Sequence, residues 1–241
     1  MEITNINQED NIIFHYTTMD TLYSLLERYR ENQTNNNLVF WASSIIAMND
    51  PKEMKNGLEV LEYLMPVIEQ FNNIIPENKL DIPSLDFNKV LKDSSYNSFV
   101  LSFTKNNDDL SMWAMYGDNG CGVALIFDLD VKTKLIDTSQ QSRLIQVNYK
   151  KSITDYQKLV QIYNKGSIHW IQCDDNDKKK EYKEQTLSQL LIQLCPYIKS
   201  AAYEKENEYR YCFHEIPNDN VCFRIKNKNI IPYMRALKKS L

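Results

Sequence analysis

Apolar positions along the chain switch between two spacings, and the switches mark out the elements. Two runs rich in β-branched and aromatic side chains predict strands, one over 12–16 with Ile12, Ile13, Phe14 and Tyr16, the other over 38–42 with Leu38, Val39, Phe40 and Trp41. Between them Met19, Leu22, Leu25, Leu26 and Tyr29 recur at helical spacing, predicting a helix over 18–30. Asp50, Pro51 and Glu53 supply an N-cap, a proline at the first helical position and a capping-box carboxylate. The helix they open carries Leu58, Leu61, Met65 and Ile68. Further on, the pattern predicts a strand over 98–103 and a short helix over 109–116 opened by Asp109. A strand over 121–127 follows, whose run Val123, Ala124, Leu125, Ile126 and Phe127 reads as the most buried in the chain.

Another strand is predicted over 143–149. Leu187, Leu190, Leu191, Leu194 and Ile198 predict one long helix over 180–202, kinked at Pro196, and the polar run before it separates two elements. Strands over 208–214 and 221–226 are joined by the turn residues Pro217, Asn218, Asp219 and Asn220, and the tail reads as a final strand and helix. Helices lie between the early strands while the late strands follow one another directly. That order fits an α+β fold better than a doubly wound sheet. No stretch has a linker's composition and none repeats, so residues 1–241 are expected to form a single domain.

Composition narrows the function. Of 241 residues, 43% are hydrophobic and 25% charged, as in a globular protein, and a net charge of −4 creates no global attraction for nucleic acid or anionic lipid. No apolar run is long enough to cross a bilayer and residues 1–9 are polar, so a soluble, cytoplasmic protein without a membrane partner is expected. Five irregularly spaced cysteines read as reduced thiols. Cys212, His214 and Cys222 lack the accompanying ligand pair of a zinc site and read as packed strand residues, so no metal is expected. Gly117, Gly120 and Gly122 lie between a helix and a strand, the reverse of a dinucleotide-binding loop, and read as a helix cap and turn. From 221 onward stand Arg224, Lys226, Lys228, Arg235, Lys238 and Lys239 with no acidic residue. This tail is either a landing surface for an anionic substrate or nucleic acid or the solvated side of terminal elements.

Four motifs spread across the chain carry a family resemblance: His15-Tyr16-Thr17, Asn49-Asp50-Pro51-Lys52-Glu53, Trp113-Ala114-Met115-Tyr116-Gly117, and Glu206-Asn207-Glu208-Tyr209-Arg210. Together they resemble the bacterial family named domain of unknown function 2971. The order and placement of His15, Tyr116 and Glu208 are more distantly similar to the His–Tyr–Glu class of ADP-ribosyltransferases. In that class a strand-end histidine precedes a helix, a tyrosine ends a short helix between strands, and a glutamate opens a late strand. Tyr16 departs from the glycine usual after the histidine, and Glu206 beside Glu208 is similar to the paired glutamates of the arginine-modifying class.

That resemblance implies an ADP-ribosyltransferase-like split antiparallel β-core with flanking helices, holding NAD as substrate in the cleft between its halves. It implies that His15, Tyr16, Thr17, Phe103 and Tyr116 bind NAD, with His15 anchoring the adenosine-side ribose and Tyr116 stacking on the nicotinamide. Glu208 is then catalytic, bonding the ribose 2′-hydroxyl, and Glu206 a second base toward an acceptor that stays open: protein, nucleic acid, small molecule or water. A transferase or NAD-cleaving effector in phage defence or a toxin system, with a neutralising partner protein, is the context the resemblance implies. Two alternatives stay open. One is an RNA 2′-phosphotransferase-like enzyme presenting Arg143, Arg210 and Arg224 to phosphate; the other is an inactive nucleotide- or peptide-binding module. Taken singly, the residues have plainer readings. His15 and Tyr116 read as packed, and Glu206 and Glu208, alternating with Asn207, as a solvated strand face paired to Arg210 or Arg224.

Overall fold

The computed structural model describes residues 11–31, 38–48, 52–72, 74–86, 89–90, 98–129, 144–149, 157–214, 216, 218–226 and 229–238. Its organising strand is β3 (Ser98–Thr104), in which Phe99, Leu101 and Phe103 alternate with Ser98, Val100, Ser102 and Thr104. Strand β6 (Glu208–His214) runs antiparallel along all of one edge, from Ser98 opposite His214 to Thr104 opposite Glu208. The other edge is shared. Strand β1 (Ile12–Thr17) meets β3 at Phe14 opposite Thr104, and β2 (Leu38–Ser44) meets it at Ser43 opposite Val100 and Ser44 opposite Phe99. The sheet therefore forks, with the two arms parting beside Ser102. One arm continues to β4 (Val123–Asp128); the other continues to β8 (Asn229–Lys238) and β7 (Val221–Lys226); the short β5 (Leu144–Gln146) joins β6. Every pairing between these strands is antiparallel, and with the helices the architecture is α+β.

Two apolar cores hold the parts. Phe99, Leu101 and Phe103 pack with Ile13, Phe40, Phe127 and Phe213 from neighbouring strands, and Leu25 of α1 (Met19–Glu31) joins them. A second, helical core joins α2 (Glu53–Phe71), α4 (Gln157–Ile171) and α5 (Asn176–Leu194) through Leu61, Met65, Ile68, Tyr163, Trp170, Leu187, Leu190 and Leu191. A small cluster seats the short helix α3 (Leu110–Tyr116) on β1, with Met112 against Phe14 and Tyr16. Asp109 caps α3, its carboxylate accepting from the Met112 N–H at 3.0 Å, as its place in the sequence predicts.

The structure departs from the sequence pattern at several points. The strand over 121–127 starts at Val123 and is an edge strand, leaving Ile126 66% exposed; its apolar run reflects one packed face and an open one. The long helix does not kink at Pro196 but stops at Leu194, because proline supplies no N–H for a further turn. It also begins earlier, capped by Asp175. After the break Ile198 makes a parallel bridge to Asn148. β6 and β7 are joined in sequence but pair with different strands, β6 with β3 and β5, β7 with β8. The tail is a strand rather than a strand and helix. Pro232 lies just past the β2 pairing, which ends at Tyr233, so its missing N–H removes nothing from that ladder. Helix α1 buries Leu25 but leaves Met19 and Leu26 half exposed, a narrower stripe than the spacing predicts. Helix α2 begins at Glu53 after Lys52, while Asn49, Asp50 and Pro51 lie outside the described residues, as do Arg143, Lys228 and Lys239.

Between α3 and β4, Gly117 closes the helix with its N–H on the Met112 and Trp113 carbonyls, confirming the cap and turn. Gly122 matters for a different reason, since a Cβ there would come within 2.3 Å of the Thr17 carbonyl oxygen and 2.8 Å of that of Gly117. Neither backbone atom is free to yield. Gly122→Ala is expected to destabilise the fold by about 1–3 kcal/mol, read as a lower urea midpoint with unchanged slope. No described helix is long and apolar enough to cross a membrane.

Candidate functional site

Where the sheet forks, a cavity of about 90 Å³ opens beside Ser102, with α3 forming part of its wall. Its lining includes His15, Tyr16, Phe103, Tyr116, Glu206 and Glu208, together with Phe14, Met48, Ser102, Thr104 and Met112. Six of the seven residues singled out in the sequence thus meet in one place. Thr17 does not line it; the side chain is buried at the end of β1.

His15 sits in the fork itself. Its Nδ1 lies 2.8 Å from the Ser102 carbonyl oxygen, on the stretch of β3 where β1 and β2 diverge. Burial lowers its pKa, outweighing the stabilising carbonyl, so the ring is neutral at neutral pH. A neutral ring donating from Nδ1 leaves Nε2 as an acceptor. Phe40 and Phe103 flank the imidazole at ring separations of 6.1 and 5.7 Å.

Across the cavity lies a buried network of four charges. Lys199 is 1% exposed, Arg210 0%, and Glu206 and Glu208 4% each. Arg210 grips Glu208 with both sides of its guanidinium, Nε to Oε1 at 2.7 Å and Nη2 to Oε2 at 2.9 Å. Lys199 donates to both carboxylates, at 2.5 Å to Glu206 Oε2 and 3.0 Å to Glu208 Oε2. The Glu208 N–H donates to the Tyr149 hydroxyl at 2.8 Å, and Arg210 Nη1 donates to the Pro196 carbonyl at 3.0 Å. Tyr116 closes the group by donating its hydroxyl to Glu206 Oε1 at 2.8 Å. Burial raises the Tyr116 pKa, and the neighbouring Glu206 charge raises it further, so the phenol keeps its proton.

The two glutamates converge by a route that strand alternation does not describe. Glu206 ends a 3₁₀ turn, Asn207 takes a left-handed conformation at φ 44°, and Glu208 opens β6. Asparagine tolerates that conformation better than most side chains. The helix break at Pro196 likewise turns Lys199 inward. Neither glutamate is on a solvated face, although the expected pairing of Glu208 with Arg210 is present.

Burial pushes the Glu208 carboxyl up, but Arg210 and then Lys199 outweigh it and hold the pKa at about 2, below its ordinary 4.5. A carboxylate with a depressed folded pKa stabilises the fold above its unfolded pKa and loses that contribution as pH falls through the folded one. Thermal melting is therefore expected to weaken between about pH 4.5 and 2 through this group, and Glu208→Gln should lose most of that part of the acid dependence.

The other predicted residues have clear places. Tyr16 is buried, its hydroxyl donating to the Asn106 carbonyl at 3.0 Å and its ring edge-on to Trp113 at 4.9 Å, so it braces the start of α3. Phe103 contributes to the cavity and to the sheet core, 5.3 Å from Phe127. Arg224 is elsewhere, over the adjoining rings of Trp41 and Tyr233, and Arg210 is committed to Glu208. The arginine set of a phosphotransferase is therefore not gathered at this cavity among the described residues. Lys199, Met48 and Tyr149 were not singled out in the sequence. The one signal for Lys199 was its position three residues after the helix-breaking Pro196. Among the described residues no cluster of three or more His, Cys, Asp or Glu side chains could hold a metal ion.

Fold and site together define an α+β protein with a forked antiparallel sheet and a cavity that sets a histidine and a tyrosine against a salt-bridged glutamate pair. Residues 112–211 match the model of a family described as protein of unknown function (DUF2971), bearing out the family read from the motifs. That segment includes Tyr116, Lys199, Glu206, Glu208 and Arg210, whereas His15 precedes it. No curated protein and no solved structure matches the chain.

Proposed function

We propose that this chain is an ADP-ribosyltransferase or NAD-cleaving effector acting at the nicotinamide–ribose bond. The observation that carries this reading is the meeting of an ionised buried carboxylate, a neutral imidazole and aromatic walls in one cavity. In the reaction, the C–N bond breaks with its electron pair leaving on nicotinamide, and positive charge develops on the ribose. A fixed negative group nearby stabilises that charge, as in glycoside hydrolysis. Glu208 is that group, lining the cavity, and its carboxylate accepts from the ribose 2′-hydroxyl. His15 Nε2 accepts from a ribose hydroxyl on the adenosine side. Tyr116 with Phe14 and Met112 forms an apolar wall for the nicotinamide ring. Glu206 takes the proton from the acceptor as it attacks the ribose carbon.

A catalytically inactive nucleotide-binding module is favoured by a separate observation: Lys199 and Arg210 balance the charges of Glu206 and Glu208, which weakens the field on a bound cation. Incubation with NAD labelled in its adenylate, with and without cell lysate, separates the two. Label on a macromolecule supports transfer to protein or nucleic acid, and free ADP-ribose supports hydrolysis. Bound but intact NAD supports the module and overturns the enzyme reading.

A further inference from the structure

The basic tail provides an observation that the cavity does not use. β7 and β8 carry it as a hairpin against β2, and the register puts Trp41, Ser43, Arg224, Tyr233 and Arg235 on one face. This face is opposite the one that Phe40, Ala42, Met234 and Ala236 turn to the sheet core. Arg224 reaches across β8, its guanidinium carbon 5.0 Å from the Trp41 ring centre and 5.6 Å from that of Tyr233. One amine donates to the Ser43 hydroxyl at 2.8 Å. Its Nε is buried with no hydrogen-bond partner, and among the described residues no carboxylate pairs with it.

A guanidinium has five N–H donors, and removing it from water is unfavourable unless an anion or a full set of acceptors replaces the hydration. Aromatic faces hold the cation in orientation but accept no in-plane hydrogen bond. Arg224 as a whole is only partly buried, so an oxyanion can approach its terminal amines from the outer face of β2, β8 and β7. Arg235, exposed on the adjacent strand and opposite Trp41 in register, adds positive charge on the same face. No acidic residue occurs from 221 to the end of the chain to neutralise it.

We propose that Arg224, held over the adjoining rings of Trp41 and Tyr233, forms a phosphate-binding site on the outer face of β2, β8 and β7, separate from the cavity. The ligand chemistry is a phosphate oxyanion, from a nucleic-acid phosphodiester or from free phosphate. The site does not depend on what the cavity catalyses. The test uses the full chain. Inorganic phosphate is titrated against thermal stability at constant ionic strength, and a fluorescently labelled single-stranded RNA against anisotropy. Wild type is expected to bind at least one of them saturably, and Arg224→Gln to bind that ligand about tenfold more weakly. Binding of phosphate alone identifies a free anion as ligand; binding of RNA identifies a phosphodiester, and both support the site. Arg224→Lys, which keeps charge over the rings but loses the planar fork, should show the same weakening in case Arg224→Gln does not fold. No saturable binding of either ligand, or binding equal in wild type and the variants, overturns the proposal.

Discussion

Glu208→Gln is expected to lower nicotinamide release from NAD by about 10²–10³-fold, the range for removing one pre-oriented electrostatic group from an active site. The substitution keeps the shape and one acceptor oxygen, turns the other oxygen into a donor facing Arg210 or Lys199, and removes the negative charge on which the proposed reaction depends. Binding of NAD should persist, because His15, Tyr116 and the apolar walls are untouched, so the loss should fall on turnover. Because the same change breaks a buried ion pair, the comparison must be made where both proteins are folded, as shown by circular dichroism. A loss of less than threefold in turnover would remove Glu208 from the chemistry.

The other large effect belongs to Lys199. It is buried, bridges both glutamates and lies 4.7 Å from the Tyr203 ring. Lys199→Met removes the ammonium while nearly preserving the volume, leaving two buried carboxylates to share Arg210. Breaking one partner out of a buried ion network typically costs about 3–5 kcal/mol, and that loss is expected in urea unfolding. Turnover below the variant's melting temperature should survive better than in Glu208→Gln, because the carboxylate on which the proposed reaction depends is still present. Taken together, the pair of variants separates the network's structural role from its chemical one. Near-wild-type stability of Lys199→Met would show that solvent reaches these charges.

Much of the sheet was legible because its strands are built from side chains that declare it. The runs at Ile12 to Thr17 and Leu38 to Ser44 are rich in branched and aromatic residues, and Glu208 to His214 starts and ends where the pattern placed it. The fork was not legible. It depends on β1 and β2 choosing the same edge of β3, a non-local pairing that no local spacing encodes. Helix α4 was missed because Asn164, Gly166 and Ser167 weaken its local propensity. Gly166 is there for packing, since a Cβ would lie 2.1 Å from the Thr186 hydroxyl oxygen on α5. β8 was obscured by Pro232 and by basic residues that suggested a solvated helix.

At the site, His15, Tyr116, Glu206 and Glu208 were legible because they stand in the motifs His15-Tyr16-Thr17, Trp113 to Gly117 and Glu206 to Arg210 that carry the family resemblance. Lys199 was hidden in what read as one continuous helix. The sequence also could not reveal that both glutamates are buried against cations, since that follows from the turn at Asn207 and the break at Pro196.

The most direct measurement is release of nicotinamide when the purified chain is mixed with NAD, run beside NAD binding by calorimetry and repeated with added lysate. The account predicts saturable binding and nicotinamide release under at least one of the two conditions. No release in either, together with no detectable NAD binding, would contradict it.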